Sequence, residues 1–226
     1  MPNKKESFRY FSIISTFFVA TLMISNIVAT KLFSIGALIF TGGILVFPLT
    51  YIFGDILTEV YGYARSRKII WTGFFALIFM SLVFWIVGLL PPAPTWQNQE
   101  AYNLILGFVP RIVFASIIGY WAGEFANSFV LAKLKILTKG KHLWTRTIGS
   151  TIVGEGVDTA LFVSIAFWGV VSGSILLLAI LSGYMFKVAY EVIATPLTYK
   201  IVGFLKKAEG VDTYDYNTKF NPFLLR

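Results

Sequence analysis

Acidic residues lie within segments of this chain that are otherwise apolar enough to cross a membrane. Most of them belong to one pattern that occurs three times: a glycine, an acid, two spacers and two polar residues. The copies are Gly54-Asp55-x-x-Thr58-Glu59, Gly123-Glu124-x-x-Asn127-Ser128 and Gly154-Glu155-x-x-Asp158-Thr159. An ionised carboxylate at the centre of a bilayer costs roughly 2.5–3.5 kcal/mol even on lenient insertion scales, so such acids mark pathways or binding sites. The repeated pattern therefore predicts a transporter.

Composition supports a membrane protein and excludes several other classes. Hydrophobic residues make up 57% of the 226 residues and charged residues 13%, with a mean hydropathy of +0.75. The sequence contains no glycine-rich phosphate loop, so it has no nucleotide-driven motor. The absence of cysteine excludes disulfides and thiolate metal sites, and we expect neither a cofactor nor a metal. The net charge of +8 lies in short loops between apolar runs, so no nucleic-acid partner is expected.

Membrane-spanning helices are the elements that must position the acids. A bilayer core needs about 20 apolar residues per helix, and the sequence offers six runs, at about 8–33, 48–62, 68–90, 110–134, 146–171 and 174–205. Residues 34–47 are glycine-containing and too short to span, which predicts a hairpin or a re-entrant turn. Pro196 is expected to kink or weaken the sixth helix. We thus predict an all-α integral membrane protein with one six-helix transmembrane domain over residues 1–207 and a short cytoplasmic tail over 208–226.

The distribution of basic residues predicts the orientation. The loops after helix two and between helices four and five carry most of the lysine and arginine, whereas the opposite loops contain only Lys31. Because basic residues accumulate on the cytoplasmic side, this pattern places both termini in the cytoplasm of a multi-pass protein of the cell inner membrane.

The acids lie at similar depths in different helices. With a rise of about 1.5 Å per residue, they fall roughly 13–18 Å from the nearest cytoplasmic basic residue. Residues three or four apart share one helix face, so the faces are expected to converge on a central cavity. This layer contains Asp55 on helix two, Glu124 on helix four, Glu155 and Asp158 on helix five, and Lys187 and Glu191 on helix six.

Acids outnumber bases in this layer. With Glu59 included, six acids face only Lys187 and Arg111 at the start of helix four. We expect Lys187 to pair with Glu191 or to reach Asp158, and we assign ion-pair or gating roles to Glu59, Lys187 and Glu191. For Glu59, near the cytoplasmic end, a plain interfacial ion pair is an equal alternative. A surplus buried carboxylate must be protonated, bind a cation or accept hydrogen bonds from a ligand.

The polar side chains of the layer match a planar heterocycle that is rich in N–H donors. One carboxylate accepts two adjacent N–H groups of a guanine-type edge, while an amide donates to its carbonyl. Two aromatic residues lie a turn or less from the acids, where they could stack on the ring. An organic cation or a metal ion would also suit this pocket. The predicted substrate-binding residues are Asn26, Tyr51, Asp55, Trp121, Glu124, Asn127, Glu155 and Asp158.

Four segments carry a resemblance to a known family. They are SNIVATK at 25–31, FPLTYIFGDILTEVYG at 47–62, GEFANS at 123–128 and GEGVDT at 154–159. Together they resemble the queuosine precursor transporter family, also called the vitamin uptake transporter family, and the likeness extends from about residue 8 to 205. It implies a six-helix carrier that imports 7-deazaguanine precursors of queuosine for tRNA modification. The motifs do not separate substrates of the preQ0, preQ1 and queuine types.

The sequence leaves three alternatives for the function open. The chain is either a secondary carrier or facilitator, with proton coupling as a hypothesis from the acid surplus, or the substrate-binding subunit of a larger energised transporter. A third alternative is an integral-membrane hydrolase that uses the paired acids, although the single histidine, His142, lies in a loop. We expect no enzymatic activity. The expected partners are a nucleobase-like small molecule, the lipid bilayer and a second copy in a homodimer.

Overall fold

The computed structural model describes residues 8–28, 31–35, 38–107, 110–169 and 172–224. These residues form seven α-helices and one two-stranded antiparallel sheet, with a short 3-10 turn at Gly42–Leu45. The helices are α1 (Phe11–Val28), α2 (Phe47–Tyr61), α3 (Tyr63–Gly88), α4 (Gln99–Ile105), α5 (Pro110–Leu137), α6 (Leu143–Phe167) and α7 (Gly173–Glu209). The strands are β1 (Leu32–Ile35) and β2 (Leu38–Thr41).

Several helices have the length and apolar character needed to cross a membrane. Within the described residues, five segments meet this condition: Phe11–Val28, Gly42–Tyr61, Tyr63–Gly88, Leu143–Ala166 and Leu176–Glu209. The predicted helical, multi-spanning architecture is confirmed at this level. Helix α5 has 28 residues, which is long enough to span, but its middle carries the polar residues of the second motif. The sixth crossing therefore stays a prediction.

The beginning of α3 differs from that predicted. Residues 63–67 were expected in a loop because they contain two arginines, but α3 begins at Tyr63, directly after the turn at Gly62. Gly62 has φ +88°, a conformation that favours glycine, so the chain reverses between α2 and α3 within one residue. The proline-rich loop after α3 is followed by the short helix α4. Helix α7 continues through Pro196, and the kink or weakening that the sequence predicted there stays a prediction.

The segment between α1 and α2 contains the two strands. Each has four residues, and they pair antiparallel with Leu32 opposite Thr41 and Ile35 opposite Leu38. The sequence predicted a hairpin or a re-entrant turn here. How this segment sits relative to the bilayer stays a prediction.

Helix α2 occupies the centre of the bundle. Twelve of its 15 residues are buried, and it contacts α1, α3, α5 and α7. Because the first copy of the motif lies on α2, its acids face other helices rather than lipid. The central position of α2 therefore brings the first motif to the other two.

The closest helix packing joins α5 to α6, which share the most extensive contact of any helix pair. A Cβ atom at Gly123 would lie 2.6 Å from Asp158 Cβ and 2.8 Å from the Gly154 carbonyl oxygen. One at Gly154 would lie 2.6 Å from Asn127 Cβ and 2.9 Å from the Gly123 carbonyl oxygen. The two glycines thus let the backbones approach directly, as small residues do between membrane helices.

This packing predicts a strong effect of a single methyl group. Gly123→Ala is expected to destabilise the protein by about 1–3 kcal/mol, because the added Cβ has no space at the α5–α6 crossing. The matched control is Gly203→Ala on α7, where a Cβ meets no atom within 4 Å. Thermal unfolding in detergent, followed by tryptophan fluorescence, should show a lower midpoint for the first variant only. Equal midpoints would show that α5 and α6 do not approach this closely.

Candidate functional site

Asp55 and Asn127 form the centre of the site. Asp55 lies on α2 and is fully buried, and its Oδ1 accepts a hydrogen bond of 2.6 Å from Asn127 Nδ2 on α5. Asp55 Oδ2 and Asn127 Oδ1 have no hydrogen-bond partner among the described residues. A buried acceptor without a donor costs about 1–3 kcal/mol. Two such acceptors beside one another are therefore suited to a ligand with N–H donors.

Glu124 supplies a third unpartnered acceptor. Its side chain is fully buried; Oε1 lies 3.5 Å from Ser128 Oγ, and Oε2 has no partner in the described part of the chain. The carboxylate occupies the space that a side chain at Gly54 would need. The Tyr51 hydroxyl, also unpartnered within the described ranges, lies 2.6 Å from where a Cβ of Gly123 would be. The glycine of one motif copy therefore accommodates the acid of another.

Lys187 neutralises the acids of the third motif. Its Nζ lies 2.5 Å from Asp158 Oδ2 and 2.8 Å from Glu155 Oε2, and 4.5 Å from the centre of the Phe47 ring. The sequence proposed Glu191 or Asp158 as the partner of Lys187, and in the structure Lys187 pairs with Asp158. Glu191, one turn further along α7, is buried, and both of its carboxylate oxygens lack a hydrogen-bond partner among the residues described.

Glu59 belongs to a separate charged cluster, which we call the cytoplasmic cluster after the orientation that the sequence predicts for these helix ends. Its carboxylate accepts two hydrogen bonds from Arg146, of 3.0 and 2.7 Å, and one of 2.5 Å from Lys206. Lys135 Nζ lies 3.5 Å from the same carboxylate and donates to the Glu59 carbonyl oxygen at 2.6 Å. The sequence count that left Glu59 in the acid surplus was wrong. Lys135 and Arg146, assigned to a loop, are each only 1% exposed and compensate its charge.

Asp212 completes the cytoplasmic cluster from beyond the end of α7. Burial opposes ionisation of this carboxyl, but hydrogen bonds from Lys135 at 2.6 Å and an ion pair with Lys206 at 2.9 Å outweigh it and lower its pKa. A carboxyl whose pKa is lowered on folding stabilises the folded state above its unfolded pKa. This contribution is lost as the pH falls through the lowered value.

Two predicted site residues make contacts away from the acids. Asn26 donates its side-chain amide to the Leu22 carbonyl oxygen of its own helix at 2.9 Å. The Trp121 ring packs against Trp71, Phe125 and Phe223, with centroids 6.3, 5.6 and 5.5 Å away. Within the described residues, the Asn26 amide therefore forms no hydrogen bond to an acid. Trp121 belongs to an aromatic cluster.

Sequence reasoning did not select the bases of the cytoplasmic cluster as site residues. The available signal was that Lys135 and Arg146 lie inside helix ends, next to apolar residues. The side chain of Arg111, which the sequence offered as a second base for the layer, lies outside the described residues. Within the described part of the chain, no group of three or more histidine, cysteine, aspartate or glutamate residues could hold a metal.

Comparison with known proteins identifies the family. The sequence model of the family described as "Putative vitamin uptake transporter" matches residues 41–201, which include all three motif copies. The chain belongs to this vitamin uptake transporter family. It is 30% identical over 176 residues to the "Probable queuosine precursor transporter" of Bacillus subtilis (strain 168), with 77% of each chain covered. It is 28% identical over 155 residues to the "Queuosine precursor transporter" of Escherichia coli (strain K12), covering 69% of this chain and 67% of that relative. No solved structure matches.

In this member of the vitamin uptake transporter family, the segment after α7 folds back onto the bundle. Arg67 Nη1 donates to the carbonyl oxygens of Lys219 and Asn221, each at 2.8 Å. The Trp71 indole donates to the Pro222 carbonyl oxygen at 2.8 Å. The segment was predicted to be a short cytoplasmic extension. In the structure it is bound along α3.

The cytoplasmic cluster predicts a large loss of stability when its acid is neutralised. Glu59→Gln leaves the buried Arg146 without a carboxylate partner among the described residues, and it leaves Lys135 and Lys206 with Asp212 alone. Breaking a buried ion pair in this way is expected to cost the transporter about 3–5 kcal/mol of stability. Glu100→Gln, an exposed substitution in α4, is the control. The measurement is the thermal unfolding midpoint of both purified variants in detergent. A Glu59→Gln midpoint equal to that of the control would show that Glu59 is not the anion of this cluster.

Proposed function

We propose that this transporter imports a 7-deazaguanine precursor of queuosine, of the preQ0, preQ1 or queuine type, for tRNA modification. The observation that carries the proposal is the group of buried, unpartnered acceptors at the centre of the bundle: Asp55 Oδ2, Asn127 Oδ1 and Glu124 Oε2. Relatives named as queuosine precursor transporters support the choice of substrate.

The chemistry of a 7-deazaguanine complements this set. Its ring N–H and exocyclic amine are adjacent donors that a carboxylate accepts in pairs, and its carbonyl needs a donor. The Asn127 amide already donates to Asp55. In our proposal the Tyr51 hydroxyl therefore supplies the donor to the carbonyl, while Asp55 and Glu124 accept from the donor edge.

The two ion-pair groups lie on either side of this layer along the helices. We propose that Lys187, with Glu155 and Asp158, closes the outer side of the site, and that the cytoplasmic cluster around Glu59 closes the inner side. Glu191, buried one turn from Lys187, is then an alternative partner for that lysine when the outer side opens.

The remaining features of the proposal concern topology and energy. We propose six crossings of the cell inner membrane, with α5 as the sixth span, both termini in the cytoplasm and one domain over residues 1–207. The substrate crosses without chemical change. Net uptake is coupled to protons in this proposal, because acids outnumber bases at the site. Within the described residues, Lys187 pairs with Glu155 and Asp158, while Asp55, Glu124 and Glu191 are buried without an ion pair.

The substrate proposal predicts selective stabilisation of the purified protein. A ligand present at 100 times its dissociation constant adds about 2.7 kcal/mol to folding stability. We expect preQ0, preQ1 or queuine to raise the unfolding midpoint and adenine to leave it unchanged. Asp55→Asn should abolish the shift, because it replaces the free acceptor with a donor, whereas Glu100→Gln should retain it. An equal response to adenine would contradict recognition of a guanine-type edge.

Reconstitution tests the transport mode. Purified protein in liposomes should take up preQ0 without another subunit, and an acidic exterior should increase net uptake. Empty liposomes and the Asp55→Asn variant are the controls. If uptake requires a partner ATPase, the chain is a substrate-binding subunit instead. If uptake is indifferent to the imposed pH gradient, the proton-coupled form of the proposal fails.

A further inference from the structure

Three buried hydroxyl groups form a hydrogen-bonded chain that crosses three helices. Thr58 Oγ1 on α2 lies 2.9 Å from Ser66 Oγ on α3 and 3.2 Å from Ser128 Oγ on α5. Ser128 Oγ in turn lies 3.5 Å from Glu124 Oε1. The three hydroxyl residues are at most 1% exposed. A continuous line of hydroxyl groups therefore connects the central acid Glu124 to the beginning of α3.

This arrangement differs from that of other buried hydroxyls in the protein. Serine and threonine in helices commonly donate to a carbonyl oxygen three or four residues earlier. Ser25, Thr50 and Ser150 do so, with hydrogen bonds of 2.6–2.9 Å to their own helices. The hydroxyls of Thr58 and Ser128 instead bond side chains of other residues. Each hydroxyl can donate and accept at once, which is the property that proton transfer along a chain requires.

The two ends of the chain have different surroundings. At one end, Glu124 is at the centre of the proposed substrate site. At the other end, Ser66 lies in the first turn of α3, where its backbone N–H donates to the Gly62 carbonyl oxygen at 3.1 Å. This is the end of α3 that the distribution of basic residues assigns to the cytoplasm. The neighbouring acid, Glu59, is bound to three cations and is therefore a poor carrier for a mobile proton.

We propose that Ser128, Thr58 and Ser66 form a proton path between Glu124 and the cytoplasm. This inference rests on the proposed function, in which uptake is coupled to protons. On release, the O–H bond of Glu124 breaks and its proton passes to Ser128 Oγ. The proton of Ser128 passes to Thr58, that of Thr58 to Ser66, and that of Ser66 to water admitted when the cytoplasmic side opens. Each hydroxyl gains one proton and loses one, and Glu124 is left as a carboxylate.

Other ionisable groups act on Glu124 from the surrounding helices and influence when it carries a proton. They are Tyr51 and Asp55 on α2, Tyr120 on α5, and Glu155 and Asp158 on α6, of which the last two bind Lys187 on α7. None of these groups is a member of the hydroxyl chain. Removing a hydroxyl from the chain therefore leaves the charges around the substrate site unchanged.

The test removes one hydroxyl without changing the shape of the side chain. Thr58→Val is reconstituted in liposomes that contain a pH-sensitive dye, and preQ0 is the substrate. Net uptake driven by an acidic exterior, and the accompanying internal acidification, should fall by about tenfold or more, which corresponds to a barrier raised by at least about 1.4 kcal/mol. Exchange of preQ0 against preQ0 already inside should stay within about twofold, because the loaded carrier can return without releasing its proton.

Two further variants separate a proton path from a structural role. Thr58→Ser restores the hydroxyl and should restore net uptake. Thr50→Val removes a buried hydroxyl of the same helix that bonds only its own backbone within the described residues, and it should leave both measurements unchanged. If Thr58→Val retains pH-driven net uptake, or loses exchange to the same extent as net uptake, the proton path is overturned.

The outcome for the path is distinguishable from the outcome for the proposed function. Stabilisation of purified wild-type protein by preQ0 tests the substrate and does not involve proton release. Wild-type uptake that ignores the pH gradient would overturn the path while the stabilisation result stands. Absence of stabilisation and of transport by the wild-type protein would instead overturn the proposed function, and the path with it.

Discussion

Direct backbone contact between α5 and α6 is the constraint on which the site depends. At Gly123 and Gly154 neither helix has room for a methyl group, because each glycine lies against the other helix or its side chains. The same holds at Gly54, whose missing side chain makes space for the Glu124 carboxylate. The glycines of the repeated pattern thus provide space at the helix contacts, and acids of the pattern lie in that space. Gly54 and Gly123 each lie against an acid from a different copy, Glu124 and Asp158, and Gly154 lies against Asn127 of the second copy.

Charge compensation divides this interior into three zones. Lys187 pairs with both acids of the third motif, and three cations surround Glu59 and Asp212. Between them, Asp55 and Glu124 retain free acceptor oxygens within the described residues. Burying a polar group is costly unless it forms a hydrogen bond or an ion pair. Free acceptors between two sets of ion pairs are therefore suited to binding a substrate that supplies the missing donors. The middle zone is where substrate and proton would meet.

Sequence alone could predict the helices that carry the acids, because hydropathy is a local property. It could not predict which base reaches which acid. Lys135 and Arg146 read as loop residues since lysine and arginine usually lie at the cytoplasmic surface, and only the packing of four helices shows that they turn inward. The neighbours of the Trp121 ring could not be predicted for a similar reason, and its role in stacking on a ligand stays a prediction. Its position one turn from Glu124 is a fact of sequence, whereas its contacts depend on where α3 and the last residues of the chain pack.

Part of the attachment of the segment after α7 to α3 is made by backbone carbonyl oxygens, beside the side-chain contacts of Asp215, Phe220 and Phe223. Arg67 and Trp71 bind carbonyl oxygens of three residues, and every amino acid presents that same oxygen. Substitutions at Lys219 or Asn221 can therefore preserve the attachment, while insertions or deletions that shift the carbonyls cannot. Among related proteins, such a segment would keep its length and path more strictly than its side chains. A comparison that scores only residue identity would rank it as unimportant, although it accepts two hydrogen bonds from an arginine that is 1% exposed.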